Sequence, residues 1–462
     1  MAHTYLAGEK KIRPGVYFRT SKNSSETVVG ALNGVVALVM AATWGPTDKV
    51  TKHENADSIR VAYGNGAGVE AACKILEAGA NTLYIKRLDG AKGGEGSVGT
   101  VDIGTVARLN AKYQGSRTLS AIVRAKAGDA TKKQLIITEG TTRLETLEFA
   151  ANETDETAAF IKVVADSEYI TAEKLAEGVI AEGDYELKGT DPTITTADYA
   201  DAYYALEPYN YNVLVTDSID TDVFATLCAY EEESYDNGKL IMVVGGDTPD
   251  TELDARLTRA AACNSERVVF FGSSYVDKDG NIIKGVPAIA YAAGFIASTP
   301  SNRSIVHGVV NGATDVPEKL TNAQYVDAIK NGLLLLSVGP DNQVWFDSGI
   351  NTLIIPDEDQ DEGWKKIRRV KTRYELMDRI NRTLEPKVGR INCDTDGISY
   401  IIQCAGEIIK AMVSEGKLYS GTFYEDPENP HVGDSAWFII EVDDIDSLEK
   451  IYLHYKFRYS AE

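Results

Sequence analysis

The feature that most constrains this 462-residue chain is a series of short, continuous apolar runs separated by helix-period stretches. Residues 82–88 (TLYIKRL), 212–216 (NVLVT), 240–244 (LIMVV) and 267–271 (RVVFF) read as strands rich in Val, Ile and Leu. Segments 69–77 and 198–206, which lie between such runs, carry the 3.6-residue apolar period of helices. Continuous apolar strands alternating with helices predict a mainly parallel sheet covered on both faces. The longest apolar stretch, residues 28–44, comes near membrane-spanning length. Gly30, Asn33 and Gly34 interrupt it and no basic flank adjoins it, so it reads as a buried strand with flanking turns. The chain is too long for one small core, which sets an expectation of two to four domains.

Two punctuated stretches break that pattern. Residues 90–99 (GAKGGEGSVG) read as a flexible glycine-rich joint and residues 189–196 (GTDPTITT) as a turn-rich return. Between them, residues 118–126, 134–139 and 144–149 suit short antiparallel strands, so an inserted β-rich, sandwich-like domain is expected. The expected layout is an N-terminal arm (1–22), a layered α/β core (23–95 and 195–355), the insert (96–194), an α+β C-terminal domain (356–449) and a C-terminal arm strand (450–462).

Both arms carry strand patterns without an adjacent hairpin partner. In residues 16–20, Val16 and Phe18 share one face. In residues 450–459 (KIYLHYKFRY), Ile451, Leu453, Tyr455, Phe457 and Tyr459 share one face while Tyr452, His454, Lys456 and Arg458 share the other. A terminal strand this apolar is an aggregation hazard unless something pairs with it. The C-terminal domain should also contain two helices, over 364–384 and 399–415.

Charge narrows the partners. With 69 acidic and 47 basic residues the formal charge is -22, which repels phosphate backbones and anionic headgroups and speaks against nucleic-acid or membrane-surface binding. The charge is also segregated: residues 145–260 hold 27 acids against six bases, whereas residues 364–390 hold ten bases against three acids. That pattern predicts either oppositely charged surfaces meeting between copies or two solvated faces. The acidic patches at 357–362 and 441–449 are exceptions within the basic domain.

Sites for chemistry are sparse. Five scattered cysteines, Cys73, Cys228, Cys263, Cys393 and Cys404, have no disulfide-framework or C-x-x-C spacing and read as free thiols. The N-terminus lacks the apolar core of a secretory signal. Gly64-Asn65-Gly66-Ala67-Gly68 precedes a helix and suggests a phosphate loop, but its third glycine comes one residue early for G-x-G-x-x-G. A nucleotide-binding α/β enzyme using Gly64–Gly68 is therefore the alternative reading. The P-loop, H-E-x-x-H and G-x-S-x-G signatures are missing, and the five histidines are dispersed. Residues 277–281 (DKDGN) open like a calcium loop, yet position twelve is Ala288; a hairpin turn between Val276 and Ile282 fits better. The expectation is no catalytic residue, no metal and no cofactor.

Six segments in order resemble one family: Arg13-Pro14-Gly15-Val16-Tyr17, Trp44-Gly45-Pro46, residues 264–269 (NSERVV), Gly294-Phe295-Ile296-Ala297, residues 349–353 (GINTL) and residues 364–370 (WKKIRRV). The chain is similar over nearly its whole length to the tail sheath proteins of contractile phages and phage-tail-like bacteriocins of Gram-positive hosts. The resemblance implies a non-enzymatic subunit that stacks as six-subunit rings around a tail tube protein and shortens to drive the tube through a cell envelope. It also implies baseplate and tail terminator partners, assembly in the bacterial host cytoplasm, and neither nucleic-acid binding nor membrane insertion. Its arms would join neighbours by adding strands to a C-terminal-domain sheet, through Val16, Phe18, Ile451, Leu453, Tyr455 and Phe457. With the C-terminal domain innermost, Lys410 and Lys417 become the candidate tube contacts, and the insert would sit outward.

Overall fold

The computed structural model describes residues 33–152, 154–358 and 360–458, and the backbone of 3–4 and 17–18. Seven strands form the central sheet in the order Leu333–Leu334, Val268–Phe271, Met242–Gly246, Val213–Thr216, Val35–Met40, Thr82–Arg87, Val50–His53. Every pairing is parallel except that of the edge strand Val50–His53. Each residue of Val35–Met40, Val213–Thr216, Met242–Gly246 and Val268–Phe271 is buried, as strands with helices on both sides require.

Val36, Leu38 and Met40 pack with helices Ala67–Glu77 and Val286–Ser298 on one face. On the other, Val35, Ala37 and Val39 meet helices Thr196–Tyr204 and Thr221–Asp236. The small residues of Val286–Ser298 serve close approach, since a Cβ on Gly294 would lie 2.3 Å from the Ile75 carbonyl oxygen. Beside the sheet, Tyr275–Asp277 pairs antiparallel with Ile282–Ile283, so residues 277–281 turn a hairpin as expected.

The insert is entirely antiparallel. One sheet runs Thr142–Ala150, Asp129–Glu139, Leu119–Lys126, Gly183–Leu187, and the other Ile170–Lys174, Ala107–Gln114, Val98–Ile103. Their inner faces and helix Thr157–Val164 share a core that includes Leu109, Leu135, Phe149 and Phe160.

The connection to the central sheet differs from the expected flexible joint. Ser97 and Thr190 form a β-bridge, and Cβ atoms on Gly93 and Gly96 would sit 2.2 and 2.3 Å from the carbonyl oxygens of Thr193 and Thr190. These glycines let two chain segments lie backbone to backbone, so the composition reflects tight packing. Arg87, fully buried at the end of a core strand, donates to the carbonyls of Ala42 (3.0 Å), Gly45 (2.6 Å) and Gln114 (2.9 Å), tying sheet, loop and insert together. Trp44 enters the insert core edge-on to Tyr113, with Arg117 over its ring.

In the C-terminal part, the first expected helix is split. A 3-10 turn, Glu362–Lys365, precedes helix Ile367–Leu384, because Lys366 is extended and bridges Ile350. The second helix, Thr395–Ser414, starts four residues earlier than expected, with Asp394 accepting from the Gly397 amide at 2.8 Å as its N-cap. Strands Leu418–Glu425 and Phe438–Asp444 form a two-stranded antiparallel sheet. At the N-terminus, Tyr17–Phe18 pairs in parallel with His3–Thr4, a partner that a search for an adjacent hairpin does not reveal. Val16 lies outside the described residues, as does Tyr459.

Candidate assembly interface

The basic helix Ile367–Leu384 is the scaffold of this region, and its cations are largely paired within the chain. Arg369 grips Asp444 through Nε (2.8 Å) and Nη2 (2.6 Å). Arg373 approaches the same carboxylate at 3.4 Å and stacks on Trp364, 3.9 Å from the ring centroid. At the N-terminal end Lys366 binds Asp446 and Glu449 (2.9 Å for the latter), and Arg368 donates to the Ser447 hydroxyl. Ser304 of the core donates to Glu449 at 3.0 Å. Residues 444–449 are therefore fastened along the helix. Hydrogen bonding to Asp444 raises the Arg369 guanidinium further above its ordinary value.

A second cluster is more deeply buried. Glu375 accepts from Ser301, Lys417 and Arg379, each at 2.5 Å, and Glu415 accepts a bidentate pair from Arg379 at 2.9 and 2.8 Å. Those Arg379 hydrogen bonds, against a desolvation penalty and with help from Lys417, hold the Glu415 carboxyl down at about 2. Lys371 donates to the carbonyls of Ile296 and Thr299 at the end of the small-residue helix; burial pushes its ammonium down to about 7, opposed by Glu375. The cluster locks the hairpin and its helices to the core.

Two expectations change here. The basic segment is not a free cationic surface, because the acidic segments 357–362 and 441–449 of its own domain, the exceptions in the charge pattern, return to it: Asp361 and Asp444 face Arg369 and Arg373. Lys417, expected at a tube surface, is only 5% exposed, its ammonium held by Glu375 and Glu415. Burying a lysine requires such pairing. Lys410 lies exposed on helix Thr395–Ser414.

The hairpin has two distinct faces. Leu418 and Phe423, with Phe438 and Val442, pack on Ala405, Ile408, Ile409 and Met412. The opposite face carries Ser420, Thr422 and Tyr424 beside Asp443, Glu441 and Ile439, with Ser420 donating to Asp443 (2.5 Å) and Tyr424 to Glu441 (2.8 Å). Among the described residues no third strand pairs with either edge.

The C-terminal segment leaves from the fastened Glu449. Residues 451–458 form no regular strand and are exposed throughout, Leu453 at 68% and Phe457 at 92%. Ile451 and Tyr455 are likewise exposed. The apolar alternation legible in the sequence has no cover in the isolated chain.

The Gly64–Gly68 loop joins two helices, Ala56–Tyr63 and Ala67–Glu77, so no strand leads into it. It sits near the ends of Val35–Met40 and Val213–Thr216, where strand order reverses and α/β folds bind ligands. Here protein groups occupy that position. A Cβ on Gly68 would lie 2.4 Å from the Ala41 carbonyl oxygen, and the Asp217 carboxylate accepts from the Ala41 amide (2.7 Å) and Tyr199 hydroxyl (2.6 Å). Burial raises the Asp217 carboxyl to about 6 against these hydrogen bonds. Gly68 thus serves helix-to-strand packing.

Residues 193–352 of this chain match the family of phage tail sheath protein central domains. Over 98% of both chains it is 22% identical to the phage-like element PBSX protein XkdK of Bacillus subtilis (strain 168). Its structure is similar to the sheath tail protein of Desulfitobacterium hafniense, with a TM-score of 0.73 and 20% identity, covering 93% of this chain and 100% of the other. It is also similar to the helical sheath of the anti-feeding prophage in its contracted state, with a TM-score of 0.58 and 11% identity over 97% and 99% of the two chains. The resemblance read from the sequence, to contractile tail sheath proteins, holds.

Proposed function

We propose that this chain is the structural subunit of a contractile tail sheath, stacking as six-subunit rings around a tail tube and repacking on contraction to drive the tube through a target envelope. The carrying observation is the presence, in one chain, of a two-stranded sheet with long open edges and an exposed apolar-alternating segment. A strand added to the hairpin contributes main-chain hydrogen bonds, and alternate side chains such as Leu453 and Phe457 contribute burial and register. Head-to-tail links of this kind propagate as a helix when their rotation does not close a ring. The likeness to a contracted sheath supports the contractile role.

In this reading residues 23–95 and 195–355 form the core, 96–194 an outward insert, 356–449 the inner domain, and residues 1–22 and 450–462 the linking arms. The extended sheath is a higher-energy arrangement held by a kinetic barrier, and the arms keep neighbours connected while rigid bodies repack. An arm of about fifteen residues reaches at most roughly 50 Å, enough to bridge adjacent subunits. Lys410 is the proposed tube contact. The partners are further copies, the tail tube, the baseplate and a tail terminator, met during assembly in the host cytoplasm. The work is mechanical, with no catalytic step.

Deleting residues 1–20 or residues 451–462 is expected to leave a folded protein that forms no long tubes. Normal tubes from both truncations in negative-stain images would overturn the arm linkage.

A further inference from the structure

Away from the C-terminal domain, helices Thr221–Asp236 and Leu253–Cys263 lie over one face of the central sheet, against Val243, Val268 and Phe270. A cavity of about 650 Å³ opens between them. Phe224 and Phe270 meet edge-on in its wall, with ring centroids 5.4 Å apart. A space of this size admits a small molecule.

Two thiols share that cavity. Cys228, in the middle of the first helix, and Cys263, the last residue of the second, both line it and pack on the same core. Each is only half-buried. The pair is hydrogen-bonded, and Cys263 also reaches the Arg259 carbonyl at 3.4 Å. Their mutual hydrogen bond, reinforced by burial, raises the Cys228 thiol above its ordinary value, whereas the same bond lowers that of Cys263 against burial. The two sulfurs are therefore unequal: Cys228 keeps its proton and Cys263 gives it up more readily. The thiolate is the attacking species in thiol–disulfide exchange. The other three cysteines are elsewhere, Cys73 against the opposite face of the sheet and Cys393 and Cys404 in the C-terminal part.

We propose that Cys228 and Cys263 are a redox-active dithiol, which a low-molecular-weight disulfide entering this cavity converts to an intrachain disulfide. The Cys263 thiolate, its proton lost to solvent, attacks one sulfur of the small disulfide, giving a mixed disulfide and one small thiolate. That thiolate takes the Cys228 proton. The Cys228 sulfur then attacks Cys263 and expels the second small thiolate, which takes a proton from solvent. Two electrons pass from the protein to the small disulfide, and the products are one protein disulfide and two small thiols.

The new bond ties the two helices together and closes a loop from residue 228 to residue 263 around strand Met242–Gly246. Such a closure restricts the unfolded chain and stabilises the fold. Thiols stay reduced in a cytoplasm, whereas disulfides persist outside it. A subunit that assembles in the host and works outside would thus be stapled after release, a consequence that rests on the sheath reading above, as the chemistry itself does not.

The test treats the full-length protein with oxidised glutathione, counts the remaining thiols and maps non-reduced peptides by mass spectrometry. Two of the five thiols should be lost, with the peptides of Cys228 and Cys263 joined within one chain. The melting temperature should rise by roughly 5 °C or more and fall back on reduction. In Cys228→Ser the remaining Cys263 should hold glutathione as a stable adduct, formed about tenfold faster than any adduct on Cys228 in Cys263→Ser. Retention of all five thiols, a bond joining other cysteines, or links between chains alone would overturn the proposal. Equal rates in the two serine variants would overturn the assignment of Cys263 as the attacking thiol. None of these readouts requires tubes, so failure of the sheath reading is scored separately.

Discussion

The central sheet ends in short strands, two residues at Leu333–Leu334 and four at Val50–His53, whereas the C-terminal hairpin stops at two strands of eight and seven residues. Short edges are poor templates for another chain; long uncovered edges are good ones. The same polypeptide thus keeps the open edges of one sheet short and those of the other long. What keeps the open region from being merely unstable is the charge cluster beneath it, where Glu375, Arg379, Glu415 and Lys417 anchor the hairpin to the core. Under the proposed strand addition, a rigidly mounted sheet of this kind would pass load between subunits.

The largest effect on the isolated protein is expected at that anchor. Lys417→Met leaves the buried Glu375 without one of its cations, and breaking a buried pair this way costs about 3–5 kcal/mol. Urea unfolding should show the loss. A change below about 1 kcal/mol would mean that the hairpin is held by its apolar face alone.

Leu38→Ala is the matching lesion in the closed region. Leu38 is fully buried in a central strand, and truncation there costs about 2–5 kcal/mol. If the core is the common platform, assembly should fall in parallel with folded fraction. Weaker tubes with unchanged stability would break the division between body and linker.

Acid should act on the two regions with opposite sign. Glu415 has a folded value near 2, below its ordinary 4.5, so its stabilisation is full above pH 4.5 and is lost as pH falls toward 2. Asp217 has a folded value near 6, above 3.8, so its contribution is full below pH 3.8 and is lost as pH rises through 6. Glu415→Gln should flatten the stability profile between pH 2 and 4.5, and Asp217→Asn between about 4 and 6. Unchanged slopes in both variants would remove these carboxyls from the account.

The parallel sheet was legible because strands buried on both faces leave continuous apolar runs; the period-two alternation of residues 450–459 reads as a strand, but residues 451–458 form none in the isolated chain. The neck between core and insert was misread. Glycine richness is the same whether a segment swings freely or, as at Gly93 and Gly96, admits a second backbone. Lys417 and the basic segment were misread for another reason: each has a partner far along the chain, 42 residues away for Lys417 and Glu375 and 83 for Lys366 and Glu449. The earlier helix start had a local sign, the Asp394 cap three residues before Gly397.

The smallest expected effect on the isolated chain gives the finest test of the contrast. Phe457 is 92% exposed, so Phe457→Ser removes no burial from the folded monomer and should change its stability by less than about 0.5 kcal/mol. In a strand added to another copy the same ring would be buried, where a phenylalanine side chain contributes roughly 1.5–3 kcal/mol. That contribution is made once per link, so tube formation should require about tenfold or more protein while the melting temperature stays put. A substitution silent in the monomer and costly in the polymer would locate the linkage on the arm. Equal assembly by Phe457→Ser and the unaltered chain would show that the exposed apolar face is not what joins the copies.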